Sequence, residues 1–307
     1  MKKNIRIGTR KSKLAIRQAE MVRSKLSQAG VESELELITS EGDHTQDTKD
    51  YIIEGSGIFT KAIDDAIISG QVDIGVHSLK DMLPILNERL TMACVLERDD
   101  PSDVLVPRNK DFIPSEETAA VIASGSIRRK AQWLNRYSSH IIVPIRGNID
   151  TRLEQLQEKP WDGIILAAAG LNRLEMNVNR ISLDWMVPAP GQGIIAVVAG
   201  SRETWLHDIL TQINHFPTMI AAKVEKNFLG YLGTGCSAPV GALAQINNEM
   251  IRFSAQVLSV DGKHKITINL ECALESYSSL ASKAAELAFD HEAKDLIRQN
   301  NTSGVHH

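Results

Sequence analysis

The chain has 307 residues, 43% of them hydrophobic and 23% charged, with a formal net charge of −4. That length exceeds a single core and predicts two or three domains, and the ordinary composition excludes a disordered or fibrous chain. The charge excludes a generally basic surface of the kind that coats nucleic acid, so any anion site must be built from local clusters of Arg and Lys.

The first third alternates strand and helix. Residues 5–8 read as a strand. Ser12 reads as the N-cap of a helix with Leu14, Ala15, Ala19, Val22 and Leu26 on one face, stopped at Gly30. Residues 34–38 alternate as a strand, Gly55 to Gly57 is a loop, and residues 58–69 read as a helix burying Phe59, Ile63, Ala66 and Ile67. Residues 72–76 read as a strand ending in His77-Ser78-Leu79-Lys80-Asp81. Helices between strands predict a mostly parallel sheet. Near Asp99-Asp100-Pro101-Ser102-Asp103 the chain turns polar and crosses to a second βα unit. Its strands end at Ser124, Arg146 and Ala169, and the Pro/Gly segment 187–193 reads as a hinge leading apolar residues 194–199 back to the first sheet. A helix over 221–229, strand-like runs over 250–260 and 263–272 around the turn pair Asp261-Gly262, and a closing helix over 277–298 predict an α+β third domain.

Three cysteines, Cys94, Cys236 and Cys272, with no paired spacing, argue against a disulfide framework and for a reducing compartment. Cys94 and Cys272 read as core. Cys236 stands in Leu232-Gly-Thr-Gly-Cys-Ser-Ala-Pro-Val-Gly241, where small residues leave space around the sulfur. No CxxC or paired-histidine spacing appears, so no metal is expected. The N-terminus carries no apolar signal segment and no run has the length of a membrane span, so the expectation is a cytoplasmic protein without membrane or nucleic-acid partners.

In open α/β sheets ligands bind beyond the carboxyl ends of the strands. Arg10 and Ser12 follow one predicted strand, Lys80 and Asp81 another, and Ser126, Arg128 and Arg129 a third. Arg146 and Arg152 follow a fourth, and Arg173 a fifth. Guanidinium forks at such positions suit a ligand carrying several carboxylates or phosphates. Asp81 is the one obvious acid in this set, placed to accept an N–H bond or to stabilise developing positive charge. His77 reads as a packed residue.

These segments together resemble the porphobilinogen deaminase (hydroxymethylbilane synthase) family. The matching stretches are Ile7-Gly-Thr-Arg-Lys-Ser12, Val76-His-Ser-Leu-Lys-Asp81, Gly125-Ser-Ile-Arg-Arg129 and Ile145-Arg-Gly-Asn-Ile-Asp-Thr-Arg152. Further along come Ile164-Ile-Leu-Ala-Ala-Ala-Gly-Leu-Asn-Arg173, Pro188-Ala-Pro-Gly-Gln-Gly193 and Gly235-Cys-Ser-Ala-Pro-Val-Gly241. The resemblance implies an α/β protein with two type II periplasmic-binding-protein-like lobes plus a small α+β C-terminal domain. The expected limits are 1–98 with 192–213, 99–191, and 214–307. It implies condensation of four porphobilinogen molecules with release of ammonia, an azafulvene cation on the way, and hydrolysis to hydroxymethylbilane. The implied cofactor is dipyrromethane, held by a thioether to Cys236. Ser12, Lys80, Asp81, Ser126, Arg128, Arg129, Arg146 and Arg152 match its contacts, with Asp81 as the catalytic aspartate. Arg10, Gln18, Arg146, Arg152, Arg173 and Gln192 match substrate contacts, and the family implies a monomer.

The chain departs from the family pattern at Glu41, Ser56, Lys13 and Thr234. The first two remove positive charge from a lid-like segment and bear on turnover. On fold and arginines alone, a non-enzymatic two-lobed anion-binding or sensing protein fits as well, and an impaired paralogue of the enzyme is a further reading.

Overall fold

The structure, a computed structural model, describes residues 4–39, 58–234, 238–291, 293, 294, 296 and 297. Strand β1 (Ile5–Thr9) buries Ile5 and Ile7. Ser12 caps α1 (Lys13–Gln28), its side chain accepting from the Ala15 N–H, and Gln18, Ala19, Val22 and Leu26 form the buried stripe at helical spacing. Then come β2 (Ser33–Leu37), α2 (Ile58–Ile68), β3 (Ile74–Ser78), a single 3-10 turn over Leu79–Asp81, and β4 (Leu90–Val95).

The chain next crosses to a second lobe. There it forms β5 (Asp103–Pro107), β6 (Val121–Ala123), α3 (Ile127–Arg136), β7 (Ile141–Val143), α4 (Ile149–Glu158), β8 (Gly163–Ala167), α5 (Ala168–Arg173) and β9 (Ile181–Ser182). It returns as β10 (Ile195–Gly200), followed by α6 (Thr204–Gln212).

The two sheets have the same plan: β2-β1-β3-β10-β4 and β7-β6-β8-β5-β9. In each, the strand that has just come from the other lobe sits fourth and runs antiparallel to its neighbours. This is the arrangement of two type II periplasmic-binding-protein-like lobes. The parallel expectation therefore holds for β1, β2 and β3 and for β6, β7 and β8, and fails at β10 and β5. Those two strands arrive by interlobe passages and not through a crossover helix packed on their own sheet, so nothing requires them to be parallel.

The third domain is an antiparallel sheet of β11 (Val240–Asn247), β12 (Met250–Leu258) and β13 (Lys265–Ala273), covered by helix α7 (Phe216–Leu232) and helix α8 (Leu280–Asp290). Ile251, Phe253, Ala255 and Val257 alternate into its core, where Phe253 meets Phe228 edge-on at 5.2 Å between ring centroids. The glycine-rich loop read from the sequence up to Gly241 is shorter than expected, because β11 begins at Val240. Helix α7 is longer than the expected 221–229, because His215 caps it and Pro217 fits its first turn. The closing helix starts at Leu280, after a 3-10 stretch over Leu274–Ser279. Gly262 takes φ +75 in the β12–β13 turn, and a Cβ there would stand 2.5 Å from the Ala131 carbonyl oxygen. That glycine therefore lets the turn lie on α3, where Asn135 Nδ2 donates to its carbonyl at 2.7 Å. Among the described residues no helix is long and apolar enough to cross a membrane.

Candidate active site

The carboxyl ends of the parallel strands of the two lobes face each other. Lys13, at the start of α1, pairs with Asp150 of α4 across the cleft at 2.7 Å, and Arg17 pairs with Glu175 beyond α5 at 3.0 Å. Both pairs are largely exposed rim contacts, worth at most about 1 kcal/mol each. On the first lobe Arg10 follows β1, and Lys80 and Asp81 lie in the turn after β3; all three are half-buried. Ser12, also half-buried, caps α1 with its hydroxyl oxygen, which accepts the Ala15 N–H at 3.3 Å. Gln18 is buried and donates to Ser78 Oγ at 2.8 Å, tying α1 to the end of the strand that leads into the Lys80-Asp81 turn.

On the second lobe Ser126 caps α3, whose next turn carries Arg128 and Arg129. Both arginines are only 4% exposed and converge on Asp103, the fully buried first residue of β5. Arg128 Nη1 donates to Asp103 Oδ2 at 2.6 Å and to the Val187 carbonyl at 3.0 Å. Arg129 Nε donates to Asp103 Oδ1 at 2.9 Å and its Nη1 to the Ile165 carbonyl at 3.1 Å. Gln192, in the return passage, donates to the same Oδ1 at 2.9 Å and to the Pro101 carbonyl at 2.7 Å. Burial alone would raise the Asp103 pKa; Arg128 and Arg129, with hydrogen bonds from Arg128 and Gln192, overcome it and hold the carboxyl well below the usual carboxylate range.

Arg146 is exposed, and Arg152 is half-buried on α4 with its Nε donating to the Gly147 carbonyl at 2.7 Å. Arg173 ends α5, buried, with Nη2 on the Gly193 carbonyl at 2.6 Å and Nε 3.4 Å from Asp99 Oδ2. Burial lowers its pKa and Asp99 opposes that shift.

Asp81 is thus not the one acid among these cations. The sequence pattern places Asp103 in a polar linker. The signal available was its place directly before the apolar Val104-Leu105-Val106, since an acid heading a buried strand requires cationic partners.

A second group missed in the sequence clamps the third domain to the hinge. Glu225 of α7 is fully buried and accepts from Arg98 Nη1 at 2.6 Å and Nη2 at 3.0 Å, from the Gly191 N–H at 2.6 Å and from the Ala244 N–H at 2.7 Å. One carboxylate therefore joins the outward passage, the return passage and the third-domain sheet, with the fork geometry that arginine allows.

His77 is packed, as expected, and its Nε2 lies 3.6 Å from Asp64 Oδ1 on α2. Among the described residues neither atom has a hydrogen-bond partner. Burial, aided by the Arg10 charge, lowers the His77 pKa to about 4, while burial and Asp65 raise Asp64 from 3.8 to about 6 despite a bond from Thr60. The pair is best described as a neutral His beside a carboxyl that ionises at about 6, because 3.6 Å is too long for a hydrogen bond and burial disfavours the charged form of each group. A raised acid stabilises the fold below its unfolded pKa, and that stability is lost as the pH rises through about 6. Replacement of Asp64 by Asn is therefore expected to gain roughly 1–2 kcal/mol relative to the parent between pH 4 and pH 7, solvent screening of the partly exposed carboxyl reducing the full effect. Urea unfolding at the two pH values measures this, and a difference that does not change with pH refutes the assignment.

Cys236, Glu41 and Ser56 lie outside the described residues. Thr234, two positions before the cysteine, is buried, and its Oγ1 has no hydrogen-bond partner among the described residues.

Two hinged lobes with cations lining the cleft between them, and a third domain clamped to the hinge, define a two-lobed α/β protein with an added α+β domain. Residues 5–208 match the family model "Porphobilinogen deaminase, dipyromethane cofactor binding domain", and residues 219–289 match "Porphobilinogen deaminase, C-terminal domain". The chain belongs to the porphobilinogen deaminase family. It is 38% identical to the porphobilinogen deaminase of Syntrophomonas wolfei, over 98% of this chain and 97% of that one. It is 33% identical to that of Alkaliphilus metalliredigens, over 98% and 96%. Among solved structures, substrate-binding domain 2 of Lactococcus lactis GlnP superposes with a TM-score of 0.45 at 11% identity, over 69% of this chain and 89% of that chain. The dipyrromethane group of the family carries several carboxylates. The donor chemistry of the cleft fits it: Arg128 Nε is buried and has no hydrogen-bond partner among the described residues, an N–H that calls for an acceptor.

Proposed function

We propose that the chain catalyses the head-to-tail condensation of four porphobilinogen molecules and one water to hydroxymethylbilane and four ammonia. The observation that supports it best is that Arg10, Lys80 and Asp81 of one lobe, and Ser126, Arg128, Arg146, Arg152 and Arg173 of the other, lie on the loops and helices that directly follow the strands on facing sides of the cleft. Each porphobilinogen brings an acetate and a propionate, so a growing chain needs many cations, and arginine provides paired donors for each carboxylate.

Dipyrromethane, bound through Cys236, supplies the pyrrole with a free α-carbon that starts the chain. Ser12, Lys80, Asp81, Ser126, Arg128, Arg129, Arg146 and Arg152 would hold it. Arg10, Arg146, Arg152 and Arg173 receive the substrate carboxylates. Gln18 and Gln192 serve from behind, Gln18 through Ser78 and Gln192 through Asp103 and Pro101. Asp81 accepts the substrate pyrrole N–H, stabilises the positive charge left on the substrate when ammonia departs, and assists removal of the proton from the carbon that forms the new bond. Lobe 1 (1–98 with 192–213) would present the acid, lobe 2 (99–191) most of the arginines, and the third domain (214–307) the cysteine. The working form is a cytoplasmic monomer, as the family resemblance implies.

Intact-mass measurement tests this reading. The purified chain is expected to exceed its calculated mass by two porphobilinogen units less two ammonia, and Cys236→Ser to remain at the calculated mass. A parent chain that stays unmodified after porphobilinogen is supplied refutes the enzyme reading. An adduct that persists in Cys236→Ser moves the attachment to Cys94 or Cys272.

A further inference from the structure

Helix α7 does more than cover the third-domain sheet. Met219 and Ala222 pack into the first-lobe core beside Leu79 and Met82, and Glu225 holds the hinge. Phe228, Leu229 and Leu232 then belong to the third-domain core, and the chain continues toward Cys236. Between the hinge contact and that core stands Lys226. It is 6% exposed, and its Nζ donates to the Met82 carbonyl oxygen at 2.5 Å. Met82 directly follows Asp81 and closes the Leu79–Asp81 turn, its own N–H bonding back to the Leu79 carbonyl.

A lysine buried this far is costly to desolvate, and an apolar side chain of the same length would serve packing at least as well. Stability alone therefore does not account for it. Its ammonium instead fixes the carbonyl on the far side of the turn that presents Asp81, and it does so from the helix that leads to the cysteine. We propose that Lys226 is a positioning residue for Asp81, holding the catalytic turn in register with the third domain through helix α7. Lys226 touches no reacting atom in this account. The inference rests on the reading of Asp81 as the catalytic acid.

The test uses the holoenzyme, with cofactor loading verified by intact mass, and compares Lys226→Met, Lys226→Arg and the parent. Lys226→Met is expected to lower kcat about tenfold or more, since small misplacements of a reacting group are costly. KM for porphobilinogen and the urea midpoint should stay close to those of the parent, and Lys226→Arg should recover most of the rate. Hydrogen exchange at residues 79–83 should accelerate in Lys226→Met, a readout that needs no turnover. An unchanged kcat overturns the proposal, as does a loss appearing in KM alone, or unchanged exchange over that turn. If Lys226→Met does not fold, an Arg variant that folds but lacks the rate overturns it, and one with near-parental rate and exchange supports it. Asp81→Asn separates the two readings: if it leaves turnover intact, the assignment of Asp81 fails; if it abolishes turnover while Lys226→Met does not, only the role of Lys226 fails.

Discussion

Asp81→Asn is expected to lower the rate of condensation by about 100- to 1000-fold while the protein keeps its dipyrromethane mass. Asparagine preserves the size of the side chain and one acceptor oxygen but removes the negative charge. That charge is the one property the proposed step cannot lose, because positive charge develops on the substrate pyrrole as ammonia leaves. The half-buried setting of Asp81, in a turn held between β3 and α7, keeps the carboxylate from being solvated as freely as a surface acid would be. Single-turnover measurement on loaded enzyme isolates this step from cofactor assembly. A rate within a few-fold of the parent would remove Asp81 from the chemistry. Loss of the adduct would assign the carboxylate to cofactor assembly instead.

The second large effect concerns Asp103. Asp103→Ala leaves two buried guanidiniums without their shared counter-charge and takes one acceptor from Gln192, which keeps the Pro101 carbonyl. Removing one partner from a buried ionic cluster of this kind costs about 3–5 kcal/mol, which urea unfolding should register as a large fall in midpoint. Asp103→Asn keeps an acceptor for Arg128, Arg129 or Gln192 and should cost less. The pH behaviour follows from the direction of the shift. A carboxyl held below its unfolded pKa contributes stability that is present above that pKa and disappears only in strong acid, so this cluster adds no slope near neutrality. A cost for Asp103→Ala under about 1 kcal/mol would mean that Arg128 and Arg129 find other partners.

Much of the site was legible in the sequence because it rests on local rules. Ser12 announces a helix start by its hydroxyl and does cap α1, and Ser126 caps α3 by the same rule, though the sequence marks it as a site residue. The periodicity of Ala19, Val22 and Leu26, the turn at Asp261-Gly262 and the return of residues 194–199 to the first sheet follow from spacing and composition, and all appear in the fold. The order of motifs along the chain was sufficient for the family.

What local pattern could not decide is which charges meet across the fold. Asp103 lies 25 residues from Arg128, and Glu225 lies 127 from Arg98. No periodicity connects residues so far apart. Their pairing is decided by two chain passages between the lobes and by the docking of α7 on both. The sequence by itself determined the segments, their caps and the inventory of cations. Only the tertiary structure decided that Arg128 and Arg129 are held by a buried carboxylate and that Gln192 serves the hinge. It also decided that a lysine from the third domain reaches the turn bearing Asp81. The physical reason is that buried charge must be compensated wherever the fold brings it, and the compensating partner is selected by three-dimensional proximity, not by neighbourhood along the chain.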